Sequence, residues 1–458
     1  YLPAVAEAAN ARVPIIVLTS DRPAELRDVG APQTIDQVGI YGRAIRWSKS
    51  VGTPEPTVEW MNLLAGVAAR AWDESALGRG PVHLNLPFRE PLGPTVIGEG
   101  APTASLRPQA TPPPRLEVAG SPVADLLGSR PLVVAGDGAG GEGLSELAGS
   151  VPVLADPLTA ARRPPLLLRG NAMARAGLLD RLTPTGVLRL GGSPTSKAIA
   201  TWLAVHPEVP QVLVDEVGRR DPAGSATTHL RADPEAVAWA LEGYEAEPGW
   251  LDAWRTAEAT IDAVFADLPG PSEPAVAATV TACLGARDLW VGSSMPIRDV
   301  DDFGVGVDGR IHGTRGANGI DGLLSAAAGA SALTGRQGVV LLGDIAFLHD
   351  LGGVLTARRL GADLTIVVVD NRGGGIFSFL PQADQPGPFD LLATPHGFDV
   401  AEIAKGLGAR VVDVPTREAL ERFLVPGPGL HVAVVTTDRA ENRAIHDKLL
   451  SRARAALA

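Results

Sequence analysis

Two uninterrupted apolar runs, Val339-Val340-Leu341-Leu342 and Ile366-Val367-Val368-Val369, constrain the fold of this chain more than any other feature. Runs this short, with no polar residue alternating through them, read as strands covered on both faces, which is the environment of a parallel sheet. Similar strands recur along the sequence between Ala- and Leu-rich helical stretches, in three blocks separated by two breaks rich in Pro and Gly. The fold class expected is therefore α/β with three parallel-sheet domains, the first of them incomplete. The length of 458 residues agrees, since domains usually take about 100–200 residues each.

Residues 1–92 form the first block, with a helix at its start, a strand at 13–18, a helix around 56–73 and a strand at 80–87 closed by prolines. It has no initiator Met and opens in a helix that leads straight into a strand, which reads as a start inside a domain. Residues 93–115, with Pro112-Pro113-Pro114, read as an extended linker. Residues 116–247 read as a central Rossmann-like domain with strands at 131–135, 187–190 and 211–214. Residues 248–272 form a connecting helix and linker, in which Trp250, Leu251, Trp254 and Ile261 fall on spacings of three, four and seven. The third domain is 273–458.

Composition removes several functions. A net charge of −12 is unsuited to binding a phosphate backbone, so nucleic acid is not expected as a partner, and any anionic substrate needs a local cluster of Arg and Lys. The single cysteine, Cys283, allows no intramolecular disulfide and no Cys-based zinc site, which fits a reducing cytoplasm. No signal peptide and no apolar run of about 18 residues is present, so membrane insertion is not expected.

The turn Gly136-Asp137-Gly138-Ala139-Gly140-Gly141 has the glycine content of a phosphate-binding loop but not the complete dinucleotide fingerprint, so a tight structural turn is the favoured reading. The stronger signal lies in the third block. Asp344 ends one apolar strand and Asn371 follows the other, 27 positions later (371 − 344). Ligands gather at the carboxyl ends of parallel strands, so the two side chains can meet there. An Asp carboxylate, an Asn amide oxygen and a backbone carbonyl near Gly373 are hard donors suited to Mg²⁺.

Gly343-Asp344-Ile345 and Asp370-Asn371 resemble the Gly-Asp-Gly and Asn-Asn signature of the thiamine-diphosphate enzymes, with Ile345 and Asp370 as departures. Longer segments resemble one branch of them, the succinyl-enolpyruvyl-cyclohexene-carboxylate synthases. These are Val17 to Leu26, Gly30-Ala31-Pro32-Gln33, Gly80 to Leu92, Ser293 to Asp299, Arg315 to Gly322 and Gly373 to Pro381. The resemblance implies a pyrimidine-binding first domain, a diphosphate-binding third domain, and the cofactors thiamine diphosphate and Mg²⁺ or Mn²⁺. It implies decarboxylation of 2-oxoglutarate and addition of the succinyl unit to isochorismate, in a homodimer or homotetramer.

On matched positions, the resemblance gives catalytic roles near the succinyl unit to Ser294, Arg298 and Arg315. Arg22, Gln33 and Lys197 face isochorismate, and Asp344, Asn371 and Gly373 hold the metal. Gly343, Ile320, Ile376, Phe377 and Leu380 contact the cofactor, with Ile320 holding it bent. His83, His349 and His396 read as structural. The resemblance also implies a preceding segment with the glutamate that activates the cofactor, and no Glu in this chain matches it. The chain as it stands is expected to bind metal and diphosphate better than it turns over substrate. Two other readings are a carboligase using another 2-oxo acid and a non-catalytic relative that keeps only the metal and diphosphate site.

Overall fold

The computed structural model describes residues 1–55, 57–90, 120–384 and 389–458. The chain falls into two compact units, one of Tyr1–Arg115 with Thr314–Gly319 and the other of Leu116–Gly313 with Ile320–Ala458. The expected linker, 93–115, lies outside the described residues.

In the first unit, β1 (Ile15–Asp21), β2 (Trp47–Ser50) and β3 (Pro81–Pro87) form a parallel sheet in the order β1-β3-β2. The central strand, β3, is buried at every position but one, and its polar members are paired: Thr19 reaches His83 at 2.7 Å and donates to Asn85 at 2.9 Å. The helix Val58–Ala76 starts where Thr57 accepts from the Trp60 N–H, an N-cap that satisfies one of the open donors of the first turn.

The second unit carries two parallel sheets. The central sheet has β4 (Pro131–Ala135), β5 (Val153–Ala155), β6 (Gly186–Leu190), β7 (Gln211–Val214) and β8 (Thr228–Leu230) in the order β5-β4-β6-β7-β8. The other has β9 (Asp288–Val291), β10 (Ile311–Gly313), β11 (Gly338–Gly343), β12 (Leu364–Asp370), β13 (Arg410–Asp413) and β14 (Leu430–Thr436) in the order β10-β9-β11-β12-β14-β13. Every residue of β12 is buried, as its unbroken apolar run requires.

The helix Trp250–Phe265 packs its buried face, including Trp254 and Ile261, against Leu449 and Ala453 of the helix Arg439–Leu457 and against residues beneath the central sheet. Burying a side chain the size of Trp254 contributes about 3–5 kcal/mol by the cost of truncating such residues.

The glycine-rich turn after β4 is structural. A Cβ at Gly136 would lie 2.1 Å from the Gly192 carbonyl oxygen, so the turns after β4 and β6 touch backbone to backbone. At the helix Glu142–Leu147 the Glu235 carboxylate accepts from the Gly143 N–H at 2.6 Å. A side-chain anion therefore already satisfies the donor a phosphate would seek.

Candidate metal and cofactor site

β11 and β12 lie side by side, with Gly343 opposite Val369, so the residues that end them emerge at one edge of the sheet. Asp344 starts the helix Asp344–His349 and is 1% exposed. Its Oδ1 accepts from the Ile345 N–H at 2.7 Å and its Oδ2 from the Gly373 N–H at 2.8 Å, which fixes the carboxylate against the loop after β12. Burial raises its pKa, against hydrogen bonds from His396, Gly373 and Ile345.

Asn371 is buried beside it. Its Nδ2 donates to Glu273 Oε1 at 2.9 Å, while its Oδ1 meets no donor among the described residues. A buried amide oxygen with no partner costs about 1–3 kcal/mol, which a cation in that position would offset. Each carboxylate oxygen of Asp344 has two lone pairs, so one cation fits without displacing the backbone bonds. The donor set thus suits a hard divalent ion.

His396 departs from expectation. Its Nε2 lies 3.1 Å from Asp344 Oδ2, and its side chain is nearly covered. Ligand atoms of Asp344, Asp370 and His396 all lie within 4.8 Å of one another, so His396 stands beside the candidate metal donors. Its 52-residue distance from Asp344 carried no sequence signal.

A cavity of about 660 Å³ in the second unit brings together Lys197, Arg298, Ile376 and Leu380, four of the residues assigned from sequence. Lys197 opens the helix Lys197–Val205, whose N-cap Ser196 accepts from the Ile199 N–H. Arg298, on the helix Met295–Phe303, donates to the Ser294 carbonyl through Nη1. Ser294 itself sits at φ 77°, in the region that favours glycine, a strain that commonly marks functional positions.

Arg175, Phe379 and His446 also line the cavity; Phe379 falls in the matched segment Gly373 to Pro381 without an assigned role, and Arg175 and His446 had no sequence signal. Phe379 takes the wall position beside Ile376 and Leu380, whereas the Phe377 ring lies against Gly374. Ile320 packs on the core under β11 and β12. Gly343 leaves the space above its Cα open.

His446, 3% exposed, lies between Phe303 and Phe379, both edge-on to it, and burial pushes its imidazole down to about 4. Behind it, burial and the charge of Asp302 hold Asp299 well above the usual carboxylate range. The His446 Nε2 and Asp299 Oδ1 atoms are 2.9 Å apart, yet neither has an aligned hydrogen bond. The pair is thus better described as two neutral groups in contact than as an ion pair.

Arg22, Gln33 and Arg315 belong to the first unit. Arg22 is partly buried and pairs with Glu90 at 3.1 Å. Asp21 holds that turn by accepting from the Arg22 N–H and from Asn85 and by pairing with Arg27 at 2.8 Å. Gln33 is exposed at φ 58°. Glu7 accepts from the Gly316 and Ala317 N–H groups at 2.8 and 2.6 Å, so it orders the loop that carries Arg315.

The family model described as "Thiamine pyrophosphate enzyme, C-terminal TPP binding domain" matches residues 308–426. Three curated relatives carry the name 2-succinyl-5-enolpyruvyl-6-hydroxy-3-cyclohexene-1-carboxylate synthase. The protein of Chloroflexus aurantiacus is 41% identical, over 96% of this chain and 81% of its own length. That of Geobacillus thermodenitrificans is 39% identical, over 99% and 83%, and that of Myxococcus xanthus 39% identical, over 100% and 84%.

Proposed function

The chain belongs to the family of 2-succinyl-5-enolpyruvyl-6-hydroxy-3-cyclohexene-1-carboxylate synthases, and from that membership we propose how its residues divide the work of a thiamine-diphosphate-dependent transferase. The reaction decarboxylates 2-oxoglutarate and adds the succinyl unit to isochorismate, a step of menaquinone biosynthesis.

The observation that carries the assignment is the donor set at the ends of β11 and β12. Asp344, the unpaired Asn371 Oδ1 and the Gly373 backbone would hold Mg²⁺ or Mn²⁺, and through it the diphosphate of the cofactor. When bound, thiamine diphosphate supplies the electron sink for decarboxylation. The protein supplies orientation and charge.

Ile376 and Leu380 give the cavity an apolar wall that excludes water from the reacting carbon. Arg298 binds a carboxylate of the 2-oxo acid, with Ser294 beside the reacting centre. Lys197 binds a carboxylate of isochorismate. In the first unit, Arg315 acts on the succinyl carboxylate, and Arg22 and Gln33 on isochorismate. Gly343 and Phe377 shape the cofactor loop, and Ile320 supports the bend of the cofactor. The cavity is bordered by Arg175, Lys197 and Arg298 and also by Asp180, Asp301 and Asp302, with Arg175 paired to Asp302 at 3.5 Å, so recognition of an anionic substrate rests on where the cations stand and not on a net positive lining.

The protein works in the cytoplasm as a homodimer or homotetramer. The single cysteine suits a reducing compartment, and no described helix is long and apolar enough to cross a membrane. The test is consumption of isochorismate with Mg²⁺ and thiamine diphosphate present, using 2-oxoglutarate or pyruvate as donor. With the family's activating glutamate supplied on a preceding segment, turnover with 2-oxoglutarate and not pyruvate is expected. Equal turnover with pyruvate would make the protein a carboligase of another specificity.

A further inference from the structure

The two ends of an asparagine amide are nearly the same in shape, so a metal-facing Asn needs a neighbour that decides which end points at the ion. Asn371 has one. Glu273 opens the helix Glu273–Ala282, is 3% exposed, and is held there by the N-cap in which Ser272 accepts from the Ala275 N–H. Its Oε1 accepts from Asn371 Nδ2 at 2.9 Å and from Thr437 Oγ1 at 3.0 Å. Three elements distant in sequence, the helix start, the end of β12 and the residue after β14, thus converge on one carboxylate oxygen.

We propose that Glu273 is a positioning residue for the metal site, holding the Asn371 amide with its nitrogen inward so that Oδ1 is presented to the cation. Glu273 Oε1 already accepts from the Thr437 hydroxyl, so it faces the amide as an acceptor whether or not the other oxygen carries a proton, and only the nitrogen end of the amide is welcome against it. The reversed amide would set oxygen against oxygen and turn an N–H donor toward a cation, where it repels. The bare Oδ1 is what this orientation leaves behind. Partners of this kind, one step behind a metal ligand, typically change metal affinity by about 10–100-fold when removed. The inference rests on Asn371 being a metal ligand.

The test is Mn²⁺ binding to the full chain with saturating thiamine diphosphate, followed by the electron paramagnetic resonance signal of free Mn²⁺. Glu273→Ala and Glu273→Leu are expected to weaken binding about 10–100-fold while melting near the parent temperature without metal. Glu273→Gln keeps an acceptor oxygen and is expected to stay within about threefold of the parent by the same reasoning. Parent-like affinity in the Ala and Leu variants, or a loss in Gln as large as in Ala, overturns the proposal.

If the Ala and Leu variants do not fold, Asn371→Asp decides, made alone and together with Glu273→Gln. Alone it opposes two carboxylates. With Gln the amide donor is restored from the other side, so a recovery of about tenfold or more is expected, and no recovery overturns the proposal. Asn371→Ala separates the two ideas. Unchanged Mn²⁺ binding there would remove the metal reading itself, whereas a loss there with no effect at Glu273 would remove only the positioning role.

Discussion

Substituting His446 by Gln should make the protein less sensitive to mild acid. His446 is 3% exposed and lies edge-on to two phenylalanines, and burial moves its pKa from 6.5 to about 4. The unfolded chain takes up the proton near pH 6.5 and the folded chain resists it until about 4. This contribution to stability is therefore complete above 6.5 and lost as the pH falls toward 4. At about 1.36 kcal/mol per pH unit the full loss is about 3 kcal/mol. Charged or titratable groups around the imidazole are Asp299, Asp302, Glu273, Arg175 and Asp447, and burial outweighs the carboxylates among them. Asp299 and Glu273 are themselves pushed upward by burial, Glu273 to about 7, and their neutral forms favour the fold as the pH drops. The parent's own curve therefore mixes opposite slopes, and the informative quantity is the difference between parent and His446→Gln. Denaturant unfolding of both at pH 7.5, 6.5, 5.5 and 4.5 supplies it. Any packing defect of the variant offsets all four points equally. The parent should lose about 2.5 kcal/mol relative to the variant between the first and last pH, the last point lying just above the folded pKa. A difference independent of pH would mean that Asp299 is ionised and pairs with a protonated His446, which refutes the neutral description of that pair.

Asp344→Asn removes the charge that would hold the cation, so the rise in melting temperature given by Mg²⁺ and thiamine diphosphate should vanish, as a thermal scan with and without them will read. Lys197→Ala should weaken binding of isochorismate roughly tenfold or more, read by titration calorimetry, with little change in melting temperature, since the residue is exposed at the cavity edge; unchanged binding would make it a surface charge. Gly136→Ala places a methyl 2.1 Å from the Gly192 carbonyl oxygen and should destabilise the central sheet by about 1–3 kcal/mol, measured by denaturant unfolding; parent-like stability would show that the two turns can part.

The parts of the fold legible in the sequence are those set by local pattern. The runs at 339–342 and 366–369 marked β11 and β12, because a strand covered on both faces has no polar alternation to disguise it. Asp344 and Asn371 were legible for the same reason, since each closes such a strand. The expected strand at 13–18 is shifted to Ile15–Asp21, an error of the size that end residues usually carry. What local pattern cannot reach is side chains that meet only after folding. His396 arrives at Asp344 from a loop, Glu273 reaches Asn371 across 98 residues, and Arg175 and His446 come to one cavity from different domains of the sequence reading. Nothing near these residues in sequence differs from an ordinary surface His, a first-turn Glu or a last-turn Arg.

The bond between Glu7 and the loop at Gly316 and Ala317 spans about 310 residues, 309 to the first and 310 to the second, yet it lies within one compact unit. On a ribosome adding about 5–20 residues per second, the helix bearing Glu7 is made roughly 15–60 s before the loop it orders exists. The helix bearing Glu7 must therefore wait, incompletely packed, for a segment from the far side of the central sheet's sequence. Completing this unit thus requires the closure of a long loop before the contact that rewards it can form.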